Sequence, residues 1–530
     1  MGDAPVTRQP SAFDYLVVGG GTAGCIIASR LSEDPGVSVA LLEWGPSDRD
    51  EERARSIRRW AEMVESEYDL DYRSVRQERG NSGIRQTRMR ILGGCSTTNT
   101  MIAWRPLASD LREWVSLGAA GWEPEAVWPY YGRLRTPIHP VSEADRNPFV
   151  ADVVASAARA LGLPVQEAWN DGRLDTAARG TGFFEVGYTP ETNLRSATSI
   201  WYIHELADAQ PNLSVITGAR ARRLLLDGRP DGTARADNTV RADNTVRAAG
   251  VELADGRVYR ARREVIVSAG TIDTVKLLQL SGIGPAAVLK AAGVEVIVDS
   301  PGVGENLQDH AEGLVVWESV AAAPAISASG WDAGAMLPLT GRADRPDVLM
   351  HFPVEPWVEH PRRAGVEFPE HIVAIAPNVA KPASRGRVWI ESADVEQPPC
   401  IDYRYFTDPG GHDERMLLAG IRAARRIAAE DPMRTWIVRE VFPGPQVQSD
   451  QDLSRVARAT HQTVYHVSGT CRMGADGDPL AVLDPELRVR GVAGLRVADA
   501  SVFPALTATN PVVTVMMVAE RAAALIRTQA

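Results

Sequence analysis

"FDYLVVGGGTAGCIIASRLSEDPGVSVALLEWG", residues 13–45, decides the fold. "YLVV" is an apolar run of strand length, "GGGTAG" a tight turn, "CIIASRLSE" a helical pattern and "VSVALLE" a second buried strand. Together they predict a βαβ unit. Gly19, Gly21 and Gly24 form GxGxxG. The first glycine permits the tight turn, the second lets a pyrophosphate approach the backbone, and the third lets helix and strand pack. The free N–H groups at the helix start, around Thr22 and Ala23, face the anion. Glu43 ends the second strand, where a carboxylate binds ribose hydroxyls. This predicts a dinucleotide site without choosing between FAD and NAD.

Outward from this unit, 530 residues exceed one ordinary core and imply two domains or one elaborated one. The net charge of −11 argues against nucleic acid and anionic membrane as partners. The four cysteines, Cys25, Cys95, Cys400 and Cys471, are scattered without a CxxC pair, and no histidine spacing supports a metal. The N-terminus has no apolar signal core, and no run of about 18 apolar residues suggests a membrane span. A soluble, cytoplasmic protein is expected. Helices are expected at "SIRRWAEMVESE", "DLREWVSLG", "EAVWPYYGRLRT", "TIDTVKLLQLSG" and "ERMLLAGIRAARRIAAED", with residues 140–195 rich in loops. "NLSVITGARARRLLLD" and "AAGVELADGRVYRARREVIVSAG" read as strands and hairpins. The hexapeptide RADNTV occurs twice in tandem, at 235–246, and reads as a lengthened surface hairpin loop.

Five further blocks carry a resemblance: "RMRILGGCSTTNTMIAWRP" (88–106), "AGTIDTVKLLQLSGIG" (269–284), "PGVGENLQDH" (301–310), "YHVSGTCRMG" (465–474) and "VADASVFPALTATNP" (497–511). In this order they resemble the glucose–methanol–choline oxidoreductase family, whose members bind FAD, and most of all its choline-oxidising branch. The resemblance implies an α/β fold: a Rossmann-like FAD-binding domain, split in sequence, and a mixed α+β substrate domain carrying an antiparallel sheet. Residues 1–158, 196–311 and 464–530 are expected in the first, and 159–195 and 312–463 in the second. A homodimer is expected.

The resemblance also ranks the nine histidines. It places His466 as the base beside the flavin, Asn510 as its hydrogen-bonding neighbour and His351 as a second active-site histidine, with Thr100 at the substrate hydroxyl. Glu312 corresponds to the carboxylate facing a trimethylammonium group, and Trp60, Trp331 and Tyr465 to aromatic positions around it. Val464 corresponds to a small apolar residue at the flavin edge where oxygen reacts. Cofactor contacts are implied for Gly93, Gly94, Thr98, Asn99, Ala221, Asp499, Ala500, Asn510 and Pro511, beside the glycine loop and Glu43. The implied reaction takes a hydride from a primary alcohol, choline or a related cationic amino alcohol, to FAD, and gives the aldehyde and hydrogen peroxide with molecular oxygen as acceptor.

Departures matter as much. Thr98 stands where the choline-oxidising members carry a histidine that anchors FAD covalently; threonine has no nucleophilic nitrogen, so FAD is expected to be non-covalent. Thr100 replaces a serine, keeping the hydroxyl and adding a methyl. Val275 and Val467 stand where prolines are usual. An uncharged or aryl alcohol is the alternative substrate; hydroxynitrile cleavage, or flavin binding without catalysis, are readings that Glu312, the aromatic set, His466 and Asn510 weigh against.

Overall fold

The computed structural model describes residues 11–228 and 246–529. Its N-terminal strand Ala12–Val18, helix Thr22–Leu31 and strand Val39–Leu42 build the expected βαβ unit. The two strands pair in parallel, from Tyr15 opposite Val39 to Val18 opposite Leu42. Their continuous apolar runs are explained by helices: Thr22–Leu31 packs against the C-terminal helix Val512–Gln529. Arg30 and Tyr202 both hold Glu520 of that last helix, at 2.8 and 2.6 Å.

This sheet grows in both directions. Leu213–Ile216 lies parallel beside Val39–Leu42, and Val258–Val267 lies parallel beside Ala12–Val18. Val246–Leu253 and Ala221–Asp227 continue it antiparallel, and Leu495–Val497 pairs in parallel with Val258–Val267. Three distant stretches of chain thus share one sheet. The second large sheet is antiparallel, in the order Ile437–Phe442, Val315–Ser319, Ile372–Val379, Val348–His351, Ala333–Leu337, Gly180–Phe183. The short strand Ala311–Glu312 joins it beside Ile372–Val379, and Gln462–Thr463 pairs in turn with Ala311–Glu312. The amphipathic helix His412–Ala428 packs on that central strand.

Three expectations are corrected. Residues 140–195 contain a real helix, Pro148–Leu161, whose N-terminal N–H groups are capped by the Asn147 side chain and whose end turns at Gly162 with φ of 61°. It packs on His412–Ala428 and the second sheet. "SIRRWAEMVESE" closes only as a 3₁₀ turn, Ile57–Met63. "EAVWPYYGRLRT" breaks into Pro124–Val127 and a 3₁₀ segment Trp128–Arg133, because Pro129 brings no N–H to a continuing helix. The RADNTV repeat, apart from its final valine, lies outside the described residues. Among the described residues no helix is long and apolar enough to cross a membrane.

Candidate active site

One continuous cavity runs between the two sheets, from Trp44 and Arg220 at one end to Glu312 and His351 at the other. Its first stretch is a backbone cradle. Gly19 has φ of 99°, and a Cβ there would lie 2.6 Å from the Ser268 carbonyl oxygen. Gly94, at φ of 51°, packs so closely that a Cβ would stand 2.7 Å from Gly21 Cα. Gly93 N–H donates to the Gly20 carbonyl at 2.7 Å. The loop "GGCSTTNT" is therefore docked on the dinucleotide loop, and Gly94 leaves no room for a side chain at the contact. Arg195, fully buried, braces it from behind by donating to the Ser96 carbonyl at 3.3 Å and to Asn99 Oδ1 at 3.2 Å. Burial alone pulls that guanidinium down to about 9.

Glu43 accepts from the N–H of Gly20 at 2.8 Å and of Gly45 at 2.7 Å, and burial raises its carboxyl to about 7. Asp499 accepts from Gly270 N–H at 2.8 Å, Thr274 hydroxyl at 2.7 Å and Ser501 N–H at 2.8 Å, so it ties the helix Gly270–Leu280 to the C-terminal strand–loop. Such a cradle, with helix N-termini and a strand-end carboxylate on an elongated cavity, fits a dinucleotide as large as FAD.

The second stretch of cavity contains a hydrogen-bonded chain whose polarity can be assigned. His310 Nε2 lies 3.0 Å from the Thr507 carbonyl, which only accepts, so Nε2 carries a proton. Burial, then the nearby Lys381 and His351 charges, pushes His310 down to about 3, so the ring is neutral and its Nδ1 is bare. His466 Nδ1, 2.9 Å away, must donate to it. That leaves His466 Nε2 unprotonated. At the other end Trp104 Nε1, which only donates, reaches Asn510 Oδ1 at 3.0 Å, so the Asn510 amide N–H₂ faces His466 Nε2 at 3.2 Å. His466 itself is held well below the usual histidine range, by burial first and then by His310, His351 and Arg88. Its backbone N–H is held by Asp309 at 2.9 Å. The Asn510 amide thus donates to the lone pair of a neutral imidazole on the cavity wall, and a hydroxyl that takes the place of that bond would meet a proton acceptor, which suits removal of a hydroxyl proton.

A third cluster closes the cavity. Cross-strand register sets Glu312 opposite both Gln462 and Asn378, and the next strand brings His351. Gln462 Nε2 donates to Glu312 Oε1 at 2.8 Å, and His351 Nδ1 lies 3.2 Å from Glu312 Oε2. Glu312 is only 1% exposed, yet it lines the cavity. His351 Nε2 is buried without a hydrogen-bond partner and lines the same space. Aromatic walls complete it. Trp331 meets the His351 ring edge-on at 5.8 Å, and Trp60 stacks on Trp357 at 6.1 Å, its indole N–H fixed to the Ser329 carbonyl at 2.7 Å. Thr98 hydroxyl donates to the Trp60 carbonyl at 3.0 Å.

Most residues expected from sequence thus meet on one cavity: Gly19, Gly21, Thr22, Ala23, Glu43, Trp60, Gly94, Thr98, Asn99, Thr100, Ala221, Glu312, Trp331, His351, Val464, Tyr465, His466, Asp499, Ala500, Asn510 and Pro511 all line it. Gly24 and Gly93 do not. Gly24 serves packing, since a Cβ would fall 1.9 Å from the Gly19 carbonyl oxygen, and Gly93 abuts Ser199 Oγ, at 2.5 Å from where its Cβ would be. His310, Trp104, Gln462, Asn378, Arg88 and Trp357 were missed. His310 stands in a quoted block, two residues before Glu312, but only its tertiary partners separate it from other histidines.

A nucleotide cradle and a neutral histidine base sharing one cavity define a dinucleotide-dependent oxidoreductase. Residues 13–312 and 382–519 match the N- and C-terminal models of GMC oxidoreductase, and the chain belongs to that family, FAD-dependent enzymes acting on CH–OH groups. The chain is 45% identical to choline oxidase from Arthrobacter globiformis, over 97% of this chain and 94% of that one. It is 32% identical to oxygen-dependent choline dehydrogenase from Photobacterium profundum, over 97% and 92%. Among solved structures it is similar to pyridoxine 4-oxidase from Mesorbium loti, with a TM-score of 0.84 and 28% identity, over 96% of this chain and 98% of that one.

Proposed function

We propose that this protein is an oxidase of choline or a closely related cationic primary alcohol, with FAD held non-covalently. The observation that carries the substrate class is Glu312: a carboxylate buried in an aromatic-walled pocket, on the same cavity as the His466 lone pair. Each aromatic face attracts a quaternary ammonium by about 0.5–2 kcal/mol, and a desolvated carboxylate adds charge selectivity. The names of the relatives support the same substrate. Thr98 at the cavity wall supports a cofactor without a covalent tether, and Val464 on the cavity supports oxygen as the acceptor.

Bound along the glycine loops, FAD would supply the two-electron acceptor. The chain's own residues do the rest. A hydroxyl brought beside the His466–Asn510 pair donates to Nε2, displacing the amide N–H that bonds it in the free protein, and accepts from that amide, so the proton leaves as negative charge on oxygen gains a donor. Thr100 offers a further hydroxyl to that oxygen. Gln462 and His351 hold Glu312 in place at the cationic end, while Trp60, Trp331 and Tyr465 exclude water from it. The FAD domain consists of the stretches that build the first sheet, and the substrate domain of those that build the second, including Pro148–Leu161. We place the enzyme in the cytoplasm as a homodimer.

The test is anaerobic mixing of the purified flavoprotein with choline. Bleaching of the flavin band, followed by peroxide on admission of air, is the expected result. No bleaching by choline, with bleaching by an uncharged aryl alcohol, sinks the substrate assignment.

A further inference from the structure

Behind the His310–His466 pair lies a cluster of buried charge that the reaction as described does not use. Lys381 Nζ is 3.1 Å from Asp110 Oδ1 and 2.7 Å from Glu113 Oε2, and it donates to the Leu506 carbonyl. Both Asp110 oxygens accept from the Ala508 N–H at 3.1 Å. Leu506 N–H is held by Gln308 Oε1 at 3.1 Å, and the Thr507 hydroxyl donates to the Thr509 carbonyl at 3.0 Å. Leu506 and Ala508 are thus tied from outside, and their segment supplies both the Thr507 carbonyl that orients His310 and the Asn510 amide that meets His466. Lys381 and His310 bind adjacent carbonyls, so the ammonium stands close to the ring.

We propose that Lys381, anchored by Asp110 and Glu113, is a positioning residue for the base: it clamps the 506–510 segment and keeps His310 a neutral acceptor, so that His466 holds its proton on Nδ1 and offers Nε2. The electrostatics are simple. His310 already donates through Nε2, so any second proton must sit on Nδ1, facing His466. His466 would then have to shed its Nδ1 proton and carry one on Nε2, and the base would be lost. The charged or titratable groups facing His310 are His466, His351 and Lys381 with its carboxylates Asp110 and Glu113; those facing His466 are His310, His351 and Arg88, with Asp309 at its backbone. Among them Lys381 is the fixed cation on the His310 side. A buried pair is costly to break but well suited to fixing one arrangement.

This rests on the proposed reaction, and the experiment separates the two. Anaerobic flavin reduction by choline is measured for wild type and Lys381→Met between roughly pH 8 and pH 5. The variant-to-wild-type rate ratio is expected to fall about tenfold across that range, which requires His310, at about 3 in the intact cluster, to titrate about one unit above pH 5 once the ammonium is gone and its two carboxylates are unpaired. A ratio that stays constant with pH overturns the proposal, since a purely structural loss scales the rate equally at every pH. Should Lys381→Met fail to fold with its carboxylates stranded, Lys381→Met/Asp110→Asn leaves only Glu113 unpaired, with a smaller fall in the same direction expected and constancy again overturning it. If choline does not reduce wild type, the reaction assignment fails alone. Histidine-¹⁵N spectra of the same proteins, assigned with His466→Gln, then decide: at low pH the variant should move the His466 proton from Nδ1 to Nε2, and unchanged tautomers overturn the inference.

Discussion

The Nδ1 atoms of His310 and His466 lie 2.9 Å apart, and only one of them can carry a proton at that contact. The Thr507 carbonyl settles which, because it takes the other proton of His310. His466 is left with its lone pair on the cavity side. His466→Ala should therefore slow anaerobic flavin reduction by roughly 10²–10⁴-fold, the usual contribution of a positioned base. Flavin content, read from absorbance of the purified variant, should be unchanged; reduction at the wild-type rate would remove His466 from this role.

Glu312 should decide between charged and neutral substrates. Glu312→Gln keeps the Gln462 side of the contact nearly in shape but removes the charge. Losing a charge-assisted contact of about 1.5–3 kcal/mol predicts a roughly 10–100-fold fall in kcat/KM for choline. The uncharged isostere, with carbon in place of nitrogen, should lose little. Equal losses for both alcohols in steady-state assays would show that Glu312 does not read charge.

Thr98 donates its hydroxyl to Trp60 and has no nitrogen to bond a flavin. Acid or heat denaturation should therefore release FAD into the supernatant and leave colourless protein. Flavin retained in the washed precipitate would point to a tether elsewhere.

Thr100 lines the cavity, and in the proposed reaction it brings a hydroxyl and a methyl to the substrate oxygen. A methyl in a tight site is worth about 1–3 kcal/mol. Thr100→Ser should raise kcat/KM for choline several-fold, whereas Thr100→Val, which loses the donor, should lower it. An identical result for serine and valine would take the hydroxyl out of the chemistry.

Glu43 gives a pH signature for the cofactor-free protein. Burial raises its carboxyl from 4.5 to about 7, so the folded state binds the proton more tightly than the unfolded one. Its cost to stability is absent below about 4.5, grows through the interval and is complete above about 7. Apoprotein melting temperature should fall with rising pH across that window by an amount that Glu43→Gln abolishes. A parallel pH dependence in variant and wild type would assign the effect to another group, such as Asp309, which burial raises to about 6.

The local features were legible because their physics is local. Apolar runs, a glycine turn and a strand-end carboxylate specify the βαβ cradle within residues 13–45, and the helix Gly270–Leu280 followed from its own periodicity. Pro148–Leu161 was hidden by its loop-like flanks although Phe149, Val150, Val153 and Ala157 sit at helical spacing. The family blocks pointed to His466, Asn510 and Glu312, and "GGCSTTNT" to a cofactor wall.

What the chain alone determined is therefore the cradle, the family and the candidates for the reacting side chains. Only the tertiary structure decided how those side chains are wired. Gln462 and Asn378 stand beside Glu312 because antiparallel register places them there, and register is a property of paired strands, not of either one. The proton of His466 points away from the cavity because Thr507 and Trp104, far apart in sequence, end a single hydrogen-bonded chain with an acceptor and a donor. Hydrogen-bond direction is fixed by the groups at the ends of such a chain, and folding alone brings those ends together.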